Sequence, residues 1–274
     1  MDERHSAIWI AAQAGNTGMV RTLIDGGADV NEKDDSTLLP FPLWAALHYA
    51  RTHANSLSTA QVLIDAGVYI ESTNSKAMTP LLYFYGNRPI MTMLLKAGAN
   101  IHALDNNKDS ILTYLAQSNN QEAIIELYHR GMNLSHRNDT GCTCFHFAAA
   151  YNQPDMILTL LDLDVDVDIT TNAGQTALHL ASSSGYKRVV EILLTRNADI
   201  GALVDRMTAR RIAVLQGHPE VAGIIEREEQ RRNRIQQPLL LAFAMGMHPQ
   251  AGQDSLVGLL GPDLARIIAG TTRL

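Results

Sequence analysis

The sequence predicts an all-α solenoid of about seven short helix-turn-helix repeats, and three observations support this fold class. First, TALHLASSSGYKRVVEILLTRNADI at 176–200 returns in altered form at 143–167 and 6–30, and such a period of about 33 residues is typical of stacked repeats. Second, apolar residues in each unit recur at helical spacing over two short segments. Third, each second segment ends at Gly, Asn or Asp, which tolerate a left-handed backbone best.

The repeats are defined by a recurring phrase of the form T-A-L-H-x-A. It begins at seven positions: Ser6, Phe41, Thr79, Ser110, Thr143, Thr176 and Thr208. Repeat starts then lie near residues 1, 36, 74, 105, 138, 171 and 203. The last three gaps are 33, 33 and 32 residues, whereas the first three are 35, 38 and 31. The segment LHYARTHANSLST after Ala46 carries about five extra residues, which predicts a longer loop or helix extension on one face.

Within each repeat the residues predict two packed helices and a turn. Small residues at one shared position allow neighbouring first helices to pack closely: Ala11, Ala46, Ala148, Ala181 and Ala213. The second helices are predicted to end at Gly27, Gly67, Gly98, Gly131, Asp164 and Asn197. One such unit cannot bury its apolar face alone, so stability comes from stacking.

In these residues the chain resembles the ankyrin repeat family over roughly 1–235, with a helical extension at 236–274. The clearest repeat, 171–202, has the family's T-P-L-H, A-x-x-x-G and V-x-x-L-L positions at Thr176, Ala177, Leu178, His179, Ala181, Gly185, Val190, Leu193 and Leu194. The resemblance implies that the polar segments between repeats form β-hairpin fingers. It also implies non-catalytic binding of a protein partner through the concave face and the finger tips.

The candidate partner-binding residues are finger-tip residues, residues that follow the A-A of the first helix, and tyrosines of the third to fifth repeats. They are Tyr83, Tyr85, Tyr114, Gln117, Asp139, Tyr151, Asn172, Ser183 and Ser184. Tyrosine is enriched at binding hot spots. The alternative for Tyr83 and Tyr114 is a core role, because they share a repeat position with Ile10 and Leu180.

Composition excludes several classes of function. The net charge of −6, from 22 basic and 28 acidic residues, disfavours a nucleic-acid-binding protein. No run of 18 apolar residues predicts a membrane span, and the charged N-terminus lacks a signal-peptide layout. Two cysteines, Cys142 and Cys144, are too few for a disulfide framework, which favours a reducing compartment. We expect the cytoplasm, with the nucleus or the host cytoplasm of a secreted effector as alternatives.

Metal binding and catalysis are also disfavoured. The run Asp162, Asp164, Asp166, Asp168 lacks the Gly and Glu that a calcium loop needs at its sixth and twelfth places. The two cysteines have only His146 nearby as a further ligand. No nucleophile is paired with a base by spacing. We therefore expect no catalytic, cofactor or metal site, and a monomer that binds an unidentified protein.

The tail at 238–274 is apolar and leaves the repeat phrase. Its segment LVGLLGPDLARIIAG (256–270) resembles the opening of an F-box at Leu260, Pro262, Leu264, Ile267 and Ile268. An F-box-like element after ankyrin repeats is similar to the PRANC-type proteins of poxviruses and bacterial symbionts. That likeness implies a Skp-type adaptor of a cullin ubiquitin ligase as a partner, and a viral or host-directed protein as an alternative. The other interpretations of the tail are a structural cap on the last repeat or a helix that docks another partner.

Overall fold

The computed structural model describes residues 6–33, 41–49 and 55–244, with side chains described to residue 235. These ranges hold fourteen helices and no regular strand, which confirms the all-α repeat fold. The helices are α1 (Ala7–Gln13), α2 (Thr17–Asp25), α3 (Pro42–His48), α4 (Ser56–Asp65), α5 (Pro80–Tyr83), α6 (Arg88–Lys96), α7 (Ile111–Gln117), α8 (Gln121–His129), α9 (Cys144–Ala150), α10 (Pro154–Asp162), α11 (Ala177–Ser183), α12 (Lys187–Thr195), α13 (Ala209–Leu215) and α14 (Pro219–Ala244).

The chain divides into two compact units, residues 1–177 and residues 178–274. In the first unit each repeat contributes a first helix and a second helix, and like helices stack on like. Thus α1 packs on α3, α7 packs on α5 and α9, and the second helices α2 and α4 pack together. The small residues Ala11, Ala46 and Ala148 are buried at these helix contacts, as the shared alanine position predicts.

The predicted ends of the second helices are confirmed. All six residues have a left-handed backbone, with φ between 60° and 87°: Gly27, Gly67, Gly98, Gly131, Asp164 and Asn197. At their N-termini, several first helices are capped by the Ser or Thr that opens the repeat phrase. Ser6 accepts a hydrogen bond from the Trp9 amide, and Thr208 accepts one from the Arg211 amide. The repeat phrase therefore begins with a helix-capping residue because the first helix starts directly after it.

The fingers are tighter than the β-hairpins that the family resemblance implies. In the fifth repeat the Asn138 amide donates to the Cys142 carbonyl, and the Asn138 side chain accepts from the Thr140 and Cys142 amides. The fingers that the structure describes pair over too few residues to build a ladder. Among the described residues the single isolated bridge joins Val204 and Met207. The fourth residue of these turns is left-handed in four consecutive repeats: Ala77, Lys108, Gly141 and Gly174.

Successive fingers of the first unit are joined by backbone hydrogen bonds. The Asn106 amide donates to the Lys76 carbonyl at 3.0 Å, and the Asp139 amide donates to the Asn107 carbonyl at 3.0 Å. The Asn172 amide continues the series by donating to the Thr140 carbonyl at 3.1 Å. These bonds fix the register of one repeat against the next without using any side chain.

In the second unit α12 and α13 both pack against the long helix α14. The sequence predicts that a C-terminal extension begins at residue 236. Helix α14 runs through this position without a break, from Pro219 to Ala244. The Arg232 guanidinium donates to the Leu194 and Ala198 carbonyls at 3.1 and 2.8 Å, at the end of α12. A cation at a helix C-terminus is stabilising, so Arg232 fastens α14 to this repeat. None of the described helices is long and apolar enough to cross a membrane.

Candidate functional site

The third repeat has a shortened first helix. Helix α5 has four residues, whereas α1, α3, α7 and α9 have seven each. Thr79 and the next helix cap, Asn87, are eight positions apart, while Thr143 and Gln153, their counterparts in the fifth repeat, are ten apart. The two missing residues explain why α5 stops at Tyr83, because the chain must turn earlier to reach α6.

An open pocket of about 790 Å³ lies where the last turn of α5 would be. Its lining comes from the end of α3 (Leu47 and His48), from residues 83–90, and from Ser118 after α7. Most of the lining is therefore the turn between α5 and α6 together with the helix residues on either side of it. The pocket is a consequence of the two-residue deletion in a stack of otherwise similar helices.

Two aromatic rings that line the pocket, Tyr83 and Phe84, pack on a buried indole. Trp44 is fully buried, and its indole nitrogen donates to the Ser72 hydroxyl at 3.2 Å. The Tyr83 ring meets Trp44 edge-on, with centroids 5.2 Å apart, and Phe84 lies 5.9 Å from Trp44. Tyr83 keeps 40% of its surface exposed. An amphipathic ring held against a fixed indole gives a preorganised contact surface.

A second aromatic pair links the pocket to the neighbouring finger. Tyr85 stacks on Tyr114 with centroids 5.3 Å apart and an interplanar angle of 28°. The Tyr114 hydroxyl donates to Asp105 at 2.7 Å, and the other oxygen of that carboxylate accepts from the Asn107 and Asp109 amides. The buried Asp105 carboxylate therefore bonds both the finger of the fourth repeat and Tyr114, the ring that stacks on Tyr85.

The electrostatics of this cluster keep the tyrosine hydroxyl as a donor. Burial, together with the hydrogen bond to Asp105, raises the pKa of Tyr114 well above its usual value. The pKa of Asp109 is also raised, mainly by burial and further by the charge of Asp105, although a hydrogen bond from Asn138 opposes the shift. At the pocket rim, Arg88 forms an ion pair with Glu122, so its charge is partly compensated.

The structure brings together three of the candidate residues, Tyr83, Tyr85 and Tyr114. Gln117 lies just after them on α7, and its carbonyl accepts from the Gln153 side chain at 2.7 Å. Tyr151, half exposed, follows α9. The core alternative for Tyr83 and Tyr114 describes only part of their surroundings, because Tyr114 is half-buried and Tyr83 is exposed.

The other candidates lie elsewhere. Asp139 and Asn172 are exposed tips of successive fingers, where the Asn172 side chain donates to the Asp139 carbonyl at 3.0 Å. In the second unit Ser183 is half-buried and Ser184 is exposed. The tail candidates lie outside the described residues: Leu260, Pro262, Leu264, Ile267 and Ile268.

Sequence reasoning missed His48, Phe84, Arg88 and Pro89, which complete the pocket. The available signal was the irregular spacing of the repeats. The long second repeat and the short third repeat are adjacent in sequence, and His48 lies within the segment after Ala46 that carries the extra residues. Irregular units in a regular stack mark places where the packing differs, although the spacing alone does not show which side chains fill the gap.

The cysteines and the aspartate run have structural surroundings. Cys144 is buried and its thiol donates to the Leu134 carbonyl, while burial raises its pKa to about 12. Asp164 adopts the left-handed backbone that ends α10. In the part of the chain that the structure describes, no group of three or more His, Cys, Asp or Glu side chains is placed to hold a metal ion.

Comparisons with known proteins agree with this architecture. The family model for ankyrin repeats in three copies matches residues 77–171 and 146–232, and the single-repeat model matches residues 3–35. The chain belongs to the ankyrin repeat family. The family's repeats form a protein-interaction fold, and residues 83–90 and Ser118 of the pocket lie within the matched segment 77–171, whereas Leu47 and His48 precede it.

Two individual proteins are similar to parts of the chain. Protein glp-1 of Caenorhabditis elegans is 28% identical over 96 residues, which are 34% of this chain and only 7% of glp-1. The crystal structure of the ankyrin repeat domain of Bcl-3, a unique member of the IkappaB protein family, superposes with a TM-score of 0.66 at 20% identity. That match covers 82% of this chain and 100% of the other, and it shows the shared fold.

Proposed function

We propose that the chain is a non-catalytic recognition module that binds a protein partner through the aromatic pocket of the third repeat. The observation that carries this proposal is the shortened helix α5, which opens the pocket between Tyr83, Tyr85 and the ends of α3 and α7. Pockets with aromatic walls and a few polar groups are typical binding sites. Interface energy is concentrated in such anchoring positions, where tyrosine is enriched.

The pocket suits one bulky apolar or aromatic side chain of the partner. Trp44 cannot move because it is fully buried and hydrogen-bonded, and Tyr85 is braced by Tyr114. Rings that are already ordered lose little conformational entropy on binding. We propose that Gln117, Asp139, Tyr151 and Asn172 add peripheral polar contacts to this central anchor. Ser183 and Ser184, which belong to the second unit, are proposed separately as partner-binding residues.

The first experiment compares two tyrosines of equal exposure. Tyr83 at the pocket and Tyr128 on α8 are each 40% exposed. Partners are captured from eukaryotic lysate with the full chain, with Tyr83→Ala and with Tyr128→Ala, and identified by mass spectrometry. Loss of specific partners only with Tyr83→Ala supports the proposal, provided that its melting temperature stays close to that of Tyr128→Ala. Identical partners for all three proteins contradict it.

We propose further that the protein acts in the cytoplasm as a monomer, without cofactor or nucleic acid. Both cysteines are free thiols, as is usual in a reducing compartment, and the net charge of −6 opposes binding to nucleic acids. Size-exclusion chromatography with light scattering tests the oligomeric state, because the measured mass of a dimer would be twice the chain mass of 30.0 kDa.

A second candidate function is substrate recognition for a cullin ubiquitin ligase. The sequence feature that favours it is the F-box-like match at Leu260, Pro262, Leu264 and Ile267. In that case the repeats bind the substrate, and the tail binds a Skp-type adaptor, either in the protein's own cell or in a host cell. Pull-down with purified adaptor should succeed with the full chain and fail with Leu264→Asp. Equal absence of adaptor from both samples removes this candidate and leaves the binding module unaffected.

A further inference from the structure

The first helix of the last repeat, α13, carries large apolar side chains on its surface. Val214 is 58% exposed and Leu215 is 62% exposed. They line an open groove of about 520 Å³ together with Thr208, Arg210 and Arg211. Two adjacent aliphatic side chains exposed to this degree lose the stabilisation that burial would give them.

The same helix positions are more buried in the preceding repeat. Val214 corresponds to Ser182, which is fully buried, and Leu215 corresponds to Ser183, which is half-buried. In a stack, this position is covered by the next repeat. The last repeat has larger and more apolar residues there than its neighbour, although no further repeat phrase follows in the sequence.

The tail supplies an apolar segment that can reach this groove. Arg210 on α13 forms an ion pair with Glu229, so the part of α14 around Glu229 lies beside α13. From Glu229 to Ala244 the helix rises about 22 Å, at about 1.5 Å per residue. The linker at 245–255 spans up to about 36 Å when extended, so residues from 256 onwards can return to α13.

The groove and the tail segment each carry charged residues beside apolar ones. The groove is flanked by Arg210, which is already paired with Glu226 and Glu229, and by the exposed Arg211. In the tail, Asp263 lies between Leu260 and Leu264 in the sequence. The segment 256–268 holds one carboxylate, Asp263, and one guanidinium, Arg266, so its net charge is zero, and Asp263 is the group that can pair with the exposed Arg211.

We propose that residues 256–268 of the tail occupy the groove on α13 as an intramolecular cap. Leu260, Leu264 and Ile267 cover Val214 and Leu215, and Asp263 pairs with Arg211. The F-box-like apolar residues are then engaged in the free protein, and any external partner of the tail has to displace them from the repeat.

A double-mutant cycle in the full chain tests this cap. Leu215→Asp and Ile267→Asp are each expected to lower the urea midpoint of unfolding, and the double variant is expected to lower it no further than one of them. Amide hydrogen exchange at 209–216 should also become faster in Ile267→Asp. Met19→Asp is the matched control, because Met19 is 50% exposed on α2 and its effect should add to that of Ile267→Asp.

Two results would overturn the proposal. One is an unchanged urea midpoint for Leu215→Asp. The other is simple additivity between positions 215 and 267, with exchange at 209–216 unaltered in Ile267→Asp. Coupling between the two positions that is absent for Met19 supports it. These outcomes do not depend on the partner of the third repeat, so the cap and the recognition function are tested separately.

Discussion

The fifth and third repeats differ in the residue that they bury at the fourth position of the repeat phrase. In the fifth, His146 is fully buried, accepts from the Thr143 amide and donates to the Gln175 carbonyl at 3.2 Å. In the third, Leu82 occupies the position of His146 and is equally buried, but it makes no such bonds. The fifth repeat uses this residue to tie two segments of the chain together, whereas the third relies on apolar burial alone.

The fifth and third repeats also differ in the finger backbone and in the length of the first helix. The fifth repeat has Gly141 at the left-handed finger position and a seven-residue helix, while the third has Ala77 and a four-residue helix. The third repeat therefore has a more strained finger backbone and a first helix that is about one turn shorter. It exposes aromatic rings where that turn would be. Regular repeats maintain the stack, and the irregular repeat carries the proposed recognition surface.

The largest expected effect is at the regular finger. A Cβ added at Gly141 would lie 2.3 Å from the Asn172 side chain and 2.5 Å from its amide nitrogen, at φ 77°. Gly141→Ala should lower the free energy of unfolding by about 3 kcal/mol, through backbone strain and loss of the finger contact. Urea denaturation measures this change.

A matched control separates the two causes. Gly27 has a similar φ of 85°, but a Cβ there would meet nothing within 4 Å. Gly27→Ala should therefore lower the free energy of unfolding by only about 1 kcal/mol, the cost of the left-handed backbone. Equal losses at both positions would show that the finger contact contributes nothing, and the contrast between regular and irregular repeats would lose its basis.

The second effect concerns pH. Burial lowers the pKa of His146 and of His179 below the usual 6.5, although hydrogen bonds to carbonyls partly oppose the shift. As pH falls below about 6.5, the unfolded chain binds protons that the folded histidines do not, so stability decreases. The slope reaches at most about 1.4 kcal/mol per pH unit for each histidine.

Urea unfolding between pH 7.5 and 5.5 tests this dependence. His146→Gln should reduce the slope because one of the two groups is removed, even though the variant is less stable at pH 7.5. The third repeat, with Leu82 at this position, has no corresponding group to titrate. A slope that is unaltered in His146→Gln would assign the pH dependence to other residues.

The third effect lies in the cluster behind the pocket. Tyr114→Phe removes the hydrogen bond to the buried Asp105 carboxylate and should lower the free energy of unfolding by about 1.5 kcal/mol. The ring stack with Tyr85 remains, so loss of partner binding should be modest. Tyr128→Phe, on an exposed ring, should change stability by less than about 0.5 kcal/mol. A neutral Tyr114→Phe would mean that Asp105 does not brace the pocket.

The smallest effect is a gain in stability at the irregular finger. Ala77 has φ 59°, where glycine is unstrained, so Ala77→Gly should raise the free energy of unfolding by about 0.5 kcal/mol. The same change at Ala97, which has φ −76°, should lower it by a similar amount. If Ala77→Gly were also destabilising, strain at the third finger would not be a cost of the irregular repeat.

Much of the fold follows from local sequence rules. The repeat register and the left-handed helix ends could be predicted because a single residue, such as Gly131 or Asn197, determines each backbone conformation. The early end of α5 could not be predicted in this way. Phe84 and Tyr85 continue the apolar pattern of a helix, and only the spacing from Thr79 to Asn87 forces the turn. The brace from Asp105 to Tyr114 was also missed, because it joins a finger to a helix through tertiary contact.

The finger bonds separate two tasks in the chain. The peptide groups of Asn106, Asp139 and Asn172 hold neighbouring repeats in line, and the Asn106 and Asn172 side chains add bonds to the preceding finger. Evolution, or a designer building a randomised library, can therefore replace the exposed Asp139 side chain while the bond from its amide to the Asn107 carbonyl remains. New binding specificities can be introduced at such a position at little expense to folding, whereas the same change at Asn172 would also remove a bond between repeats.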